Sequence, residues 1–239
     1  MTTPRVSLLD QTREPERVVA QAARTCYTAE PLDRIGDGLT DAAAAKLIRK
    51  IIALGHLSVL EHASFTFGIE GISRVTSHQL VRHRIASWSQ RSQRYVRHSE
   101  AGEVVVPPSV AADPTLEAAF AKASRAAFAA YRSLLAAGVP AEDARYLLPN
   151  GITTSLVMTM NARELRHFIS LRTCNRAQWE IRDVAIGLLR LCREAAPALF
   201  ADAGPGCLNG PCPEGAMTCG KRAAVRRFFA GLVPKENEA

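Results

Sequence analysis

The sequence predicts a single mixed α+β domain, and three observations carry that class. Ser64–Ile72 alternates strictly, with Phe65, Phe67 and Ile69 on one side and Ser64, Thr66, Gly68 and Glu70 on the other, the period of a half-buried strand. Asp113–Pro114 opens a long helical stretch with an acidic cap and a proline in the first turn, running through Phe120, Ala127, Tyr131 and Leu134 to Gly138. Across 239 residues there is no internal repeat and no linker rich enough in Pro, Gly or Ser to split the chain. The domain is expected over residues 1–234, with 235–239 a disordered tail.

The remaining elements follow in order. Arg5–Leu9 reads as a first strand, and Glu14–Tyr27 has helical spacing with Val18, Val19, Ala22 and Ala23 on one side. Ala29–Gly38 is loop-like. Thr40 is a good N-cap for a helix reaching Leu54, with Leu47, Ile48, Ile51 and Leu54 as its buried stripe and Gly55 as its end. A turn over Gly55–His62 leads into the Ser64–Ile72 strand, a helix near Ser73–Val81 follows, and Ser87–Gln93 reads as an ordered loop. Val104–Val106 before Pro107–Pro108 reads as another strand. Ala141–Leu148 is a short helix, Ile152–Met160 a strand, Asn161 the cap of a helix Ala162–Leu171, and Ala177–Leu199 one long final helix.

Composition fixes the class of partner. The chain carries a formal charge of +7, from 25 Arg and 5 Lys against 23 acids, which favours anionic ligands. No apolar run reaches the length of a membrane span, and Met1–Asp10 has no hydrophobic segment of signal-peptide size, so a cytoplasmic protein off the membrane is expected. Six cysteines in a chain this long do not make a disulfide framework.

The charge is concentrated. Gln79–Arg97 places Arg82, His83, Arg84, Arg91, Arg94 and Arg97 among Ser87, Ser89, Gln90, Ser92 and Gln93, and Gly71–Ser99 contains no Asp or Glu at all. Cations without an internal counter-charge repel one another unless an anion sits among them, and arginine suits planar, bidentate contact with phosphate. A second cationic segment follows Asn161, with Arg163 and His167 four apart on one helical face and Arg172 and Arg176 near its end; nearby Glu164, Glu180 and Asp183 leave structural ion pairs open as the alternative. His56, Glu61 and His62 in a helix-to-strand turn lack the H-E-x-x-H spacing and a third ligand, so no metal is expected there. Cys207, Cys212 and Cys219 are spaced by four and six residues rather than in C-x-x-C pairs, and read as reduced structural thiols. Gly215–Lys221 mimics a phosphate loop, but Arg222 stands where Ser or Thr is needed. There is no G-x-G-x-x-G after a strand and no G-x-S-x-G elbow.

Arg82-His83-Arg84, followed after seven residues by Ser92, resembles the signature of flavin-dependent thymidylate synthases (ThyX). GHxSxxEH at Gly55–His62, ARYLLP around Arg145, NARELxxF from Asn161 and LR-x5-QWEIR from Leu171 resemble further segments of that family in the same order, spanning roughly Pro4–Phe200. The resemblance implies a central antiparallel sheet flanked by helices. It implies methylation of dUMP to dTMP, with 5,10-methylenetetrahydrofolate as carbon donor and NADPH as reductant through FAD. It also implies a homotetramer with shared sites, and neither nucleic acid nor membrane as partner.

Carried over by position, Gln79, Arg82, Gln90, Ser92, Arg94, Arg145 and Arg172 would contact dUMP. His56, Ser58, Glu61, Arg82, His83, Arg84, Asn161, Arg163 and His167 would lie along FAD. Arg172, Ser92 and His56 would stand nearest the chemistry, with Arg172 stabilising charge on the pyrimidine, Ser92 a substrate ligand rather than a nucleophile, and His56 near the flavin where folate enters. Gln90 stands where many members have Glu, His167 where many have Asn, and Cys26 where a small hydroxyl residue is common. A basic nucleic-acid-binding protein, or a flavin enzyme acting on another phosphorylated metabolite, are the rival readings; only Trp88 and Tyr95 offer stacking surfaces near the arginines.

Overall fold

The computed structural model describes residues 4–98 and 104–232; the tail expected from residue 235 lies outside them. Four strands, β1 (Arg5–Gln11), β2 (Ser64–Ser73), β3 (Ser87–Gln90) and β4 (Thr153–Asn161), form one sheet in the order β1-β2-β4-β3. β2 and β4 run antiparallel: Ala162 N–H donates to the Ala63 carbonyl at 2.7 Å, the Thr66 and Thr159 hydroxyls meet at 2.9 Å, and Arg74 N–H donates to Ile152 at 3.1 Å. The α+β class is as the sequence predicts. The chain forms two compact units, and the division falls inside β2 and β4. The first draws its described residues from Met1–Arg5, Gly68–His83 and Trp88–Val157, the second from Val6–Phe67, Arg84–Ser87 and Met158–Ala239.

In the first unit, α3 (Arg74–Leu80) starts where Ser73 Oγ accepts the Thr76 N–H, a cap that satisfies one of the helix's orphan donors. A short α4 (Pro108–Ala111) precedes α5 (Pro114–Ala136), which Asp113 caps at Thr115 and Leu116. Ser124, Phe128 and Tyr131 fall on one face of α5 at helical spacing and are buried. Gly138, at φ 87°, takes the left-handed turn that a side chain would resist, and the helix ends there. The expected helix over 141–148 is α6 (Ala141–Ala144) tightening into a 3-10 turn, Arg145–Leu147.

Two expectations fail in this unit. Val104–Val106 is not a strand: Val104 makes one isolated bridge with Ile152, because Pro107 and Pro108 lack the N–H groups that would continue a ladder. The loop expected over Ser87–Gln93 begins as β3. Arg91 N–H donates to Ser155 at 2.9 Å and the Gln90 amide to Thr154 Oγ1 at 3.3 Å, so pairing with β4 overrides the weak strand preference of Ser and Gln.

In the second unit, α1 (Pro15–Thr25) buries Val19, Ala20 and Ala23, a stripe one position round from the expected one. Thr40 caps α2 (Asp41–Ala53) at Ala43, and Ala44, Ile48 and Ile51 are its buried residues, while Leu54 lies beyond its end and is exposed. A 3-10 turn, Leu57–His62, joins α2 to β2, whose Phe65 and Phe67 are fully buried. Asn161 caps α7 (Ala162–Arg172) at Glu164.

The long final helix is broken into α8 (Trp179–Ala195) and α9 (Pro197–Phe200). Ala196 leaves helical geometry immediately before Pro197, as steric conflict with the proline ring requires. Glu16 Oε1 accepts the Ala198 N–H at 2.5 Å at the start of α9, and burial pushes the Glu16 carboxyl above its usual range. A further helix, α10 (Arg222–Ala230), was not expected; it buries only Val225 and Phe229, four residues apart. Buried Arg193 ties these pieces together by donating to the carbonyls of Phe200, Ala203 and Phe229 at 3.3, 2.9 and 2.9 Å.

Candidate active site

In the second unit, the predicted residues of the 3-10 turn and of α7 come together. Arg163 Nη1 lies 2.5 Å from Glu61 Oε1, although 102 residues separate them. His56 is the cap residue of the 3-10 turn and Ser58 lies within it; both are exposed. Asn161 uses its side-chain oxygen on the Glu164 N–H at 2.9 Å. Arg163 and His167 share one face of α7 and line a cleft of about 620 Å³. Leu57 and Ile85 supply an apolar wall to that cleft, and Arg84, beside Ile85 in the chain, is exposed.

The sequence did not point to the floor of this cleft. Arg166 makes a bidentate pair with Asp202, at 2.7 and 2.9 Å, and also donates to the Leu199 carbonyl at 2.5 Å. Asn209 Nδ2 donates to the Asp202 carbonyl at 2.7 Å, closing the segment over Gly204–Gly206.

The first unit holds most of the predicted dUMP ligands. Gln79 lies on α3, and Arg82 is exposed just beyond it. The His83 carbonyl accepts the Trp88 indole N–H at 3.2 Å. Ser92 Oγ accepts the Arg94 N–H at 3.1 Å, which fixes the turn between β3 and the arginines. Arg94 Nε is 2.6 Å from Glu142 Oε2, and Arg145 Nε donates to the Glu142 carbonyl at 2.9 Å, so one residue anchors two predicted ligands.

Beside Arg145 are residues to which the sequence reading assigned no ligand role: Arg74, Arg91 and His98. Burial, and then the charge of Arg145, lowers the pKa of Arg74. Burial, then Arg91 and Arg74, hold His98 below its usual range. Arg74, Arg91, Arg145 and His98 therefore share one electropositive neighbourhood, and among the described residues no carboxylate is paired with Arg74 or Arg91.

Arg172 belongs to the second unit. It is the last residue of α7 and half-buried, and burial lowers its pKa without removing its charge near neutrality.

The family model described as "Thymidylate synthase complementing protein" matches residues 7–198. A protein named flavin-dependent thymidylate synthase from Geobacter sulfurreducens is 57% identical over 226 residues, covering 94% of this chain and 97% of that one. The chain belongs to the flavin-dependent thymidylate synthase family. Another protein of that name, from Clostridium tetani, is 41% identical over 94% of this chain and 96% of its own length. Among solved structures, the UMP/dUMP methylase PolB from Streptomyces cacaoi, bound with 5-Br dUMP, aligns with a TM-score of 0.73 at 27% identity, covering 84% of this chain and 94% of that one.

The flavin-dependent thymidylate synthase resemblance drawn from Arg82–Arg84, Ser92 and the four accompanying segments is therefore correct, and so is the fold class. Among the described residues no group of three or more His, Cys, Asp or Glu could hold a metal ion, and no helix is long and apolar enough to cross a membrane.

Proposed function

We propose that this chain methylates dUMP to dTMP, with FAD as cofactor, 5,10-methylenetetrahydrofolate as carbon donor and NADPH as reductant. The observation that carries the reading is the cationic group of Arg74, Arg91 and Arg145, none of which has a paired carboxylate among the described residues, next to Ser92 and to Arg94 with its partner Glu142. A phosphate monoester supplies the missing negative charge, and arginine forks fit its oxygens.

The α7 cleft has the chemistry of a flavin dinucleotide site: the Arg163 cation and His167 for phosphate and ribose oxygens, and Leu57 and Ile85 for a ring face. In this reading His56, Ser58, Glu61, Arg84, Asn161, Arg163 and His167 hold FAD, together with Arg82 and His83. When bound, FAD supplies the electron transfer that completes the methyl group.

The chain's own residues bind, orient and stabilise charge. Gln79, Arg82, Gln90, Ser92, Arg94 and Arg145 hold dUMP. Ser92 Oγ already accepts one backbone N–H, so its own proton is available to donate to a substrate oxygen. C5 of uracil becomes nucleophilic as negative charge builds on the ring oxygens, and Arg172 is the cation assigned to that charge. A half-buried guanidinium interacts with it more strongly than a solvated one. No covalent bond to the protein is needed.

The same reading carries a homotetramer with shared sites and a cytoplasmic location, with neither nucleic acid nor membrane as partner. The test is colour and turnover. Purified protein should be yellow or take up added FAD, and should oxidise NADPH only when dUMP and the folate are present. A colourless protein that binds no FAD and shows no dUMP-dependent oxidation overturns the proposal.

A further inference from the structure

Outside the α7 cleft, the Cys-rich C-terminal segment is docked onto the residues just after α7. Asn175 Nδ2 is 3.7 Å from Cys219 Sγ, Arg176 Nη1 donates to the Met217 carbonyl at 2.5 Å, and Arg176 Nε lies 3.5 Å from Glu214 Oε2. Consecutive residues of the 174–176 stretch are thereby held to residues 214–219, and Cys174 is the chain neighbour of the asparagine that meets the Cys219 sulfur. Two more thiols, Cys207 and Cys212, lie in the same C-terminal stretch of sequence. Cys207 is buried between Gly206 and Leu208, and its pKa is raised by burial, then by the charges of Cys212, Cys174 and Cys219. Cys174, Cys207, Cys212 and Cys219 are all free thiols.

The two thiols nearest the docking contacts differ from the buried Cys192 and Cys207. Cys174 and Cys219 are both partly exposed, whereas Cys192 is buried in the core, where burial pushes its thiol far up and leaves it inert. The Lys221 backbone, the Asn175 amide and the Lys221 charge favour the Cys219 thiolate. A reachable thiolate on one segment, docked by hydrogen bonds against a second segment that carries another partly exposed thiol, has the makings of an oxidation-sensitive pair. A bound soft cation is the competing use of four cysteines, but no three ligating side chains among the described residues stand in a metal-holding arrangement.

We propose that Cys174 and Cys219 form a peroxide-reactive pair that closes reversibly to a disulfide, tying the C-terminal segment to the end of α7. The Cys219 thiolate attacks one oxygen of a hydroperoxide. The O–O bond breaks, the alcohol (or water, from hydrogen peroxide) departs, and Cys219 becomes a sulfenic acid. The Cys174 thiolate then attacks that sulfur and expels hydroxide, which leaves as water. Overall, two thiols and one hydroperoxide give one disulfide, one alcohol and one water, the thiols being oxidised and the peroxide reduced. A dithiol reductant reverses the step by exchange.

The experiment uses the full-length protein, reduced, desalted and exposed to a few equivalents of hydrogen peroxide. Remaining thiols are then blocked with N-ethylmaleimide and the digest mapped by mass spectrometry. The expected result is a linked Cys174–Cys219 peptide that disappears on treatment with dithiothreitol. In Cys174→Ser, Cys219 should instead be trapped as a sulfenic acid by dimedone. Two results overturn the proposal: Cys174 and Cys219 blocked separately in the peroxide-treated wild type, or about one zinc per chain by elemental analysis, with the four thiols reactive only after chelation. Neither readout depends on dTMP formation, so failure here is distinct from failure of the proposed enzyme activity.

Discussion

Arg163 reaches across 102 residues of chain to place Nη1 2.5 Å from Glu61 Oε1. Both side chains are close to half exposed, and an exposed ion pair contributes only about 0–1 kcal/mol to stability. Stability is therefore a poor reason for the pair, and positioning of the Leu57–His62 turn against α7 is the better one. Glu61→Gln keeps the shape and removes the charge. The expected outcome is a melting temperature shifted by no more than a few degrees, together with FAD affinity reduced roughly tenfold, about 1.4 kcal/mol, in a fluorescence titration. Unchanged FAD affinity would remove Glu61 from the flavin site.

Arg172 carries the heaviest chemical role in the proposed mechanism, and its replacement separates binding from chemistry. Loss of one preorganised charge-stabilising donor costs about 10²–10³ in turnover. Arg172→Ala should lose dTMP formation by at least that factor while flavin absorbance stays that of the parent. Arg172→Lys should recover only part, since an ammonium cannot reproduce the planar fork. Near-normal turnover in Arg172→Ala would place the ring-charge stabilisation elsewhere.

Ser92 tests the opposite claim, that the motif serine is a ligand. Its Oγ accepts the Arg94 N–H at 3.1 Å, so Ser92→Ala loses a turn-stabilising hydrogen bond and, in the proposed role, a substrate contact as well. The Michaelis constant for dUMP should rise several-fold to about tenfold, and kcat should fall by less than that. Complete loss of kcat with unaltered dUMP affinity would restore a nucleophile.

What could be read in advance follows from how far each determinant reaches along the chain. Thr40, Asp113 and Asn161 cap helices through hydrogen bonds to residues two or three away, so their roles show in a short window of sequence. Phe65, Phe67 and Ile69 announce a strand by their own alternation. β3 does not, because Ser87–Gln90 becomes a strand only by pairing with a partner more than sixty residues later. At the site, the same limit separates Arg94 and Arg145, which lie in recognisable segments, from Glu142, which anchors both. Asp202 under Arg166, and the approach of Arg74 and Arg91 to His98, likewise depend on tertiary folding that no local pattern encodes. Pro197 is the exception: it signalled the break between α8 and α9 locally, and the strong apolar periodicity on either side of it obscured the signal.

His98 gives a prediction about pH. Burial first, and then Arg91 and Arg74, lower its pKa beneath the ordinary 6.5. Its backbone N–H is held by Tyr131 Oη at 3.3 Å, so the ring stays near those arginines only while α5 is in place. As pH falls through 6.5, the unfolded chain takes up a proton on this histidine that the folded chain does not yet accept. Unfolding is then favoured, and the loss continues until the depressed folded value is reached. Stability should therefore fall on acidification through the window just below pH 6.5, and His98→Gln should flatten that part of the profile in thermal melts while leaving the melting temperature at pH 8 little changed. In the proposed site the dUMP phosphate would offset the charge of Arg74 and Arg91, so adding dUMP should reduce the stability loss along the same acid limb in the parent and have less effect in His98→Gln. An acid limb of equal depth in parent and variant would show that other groups govern it.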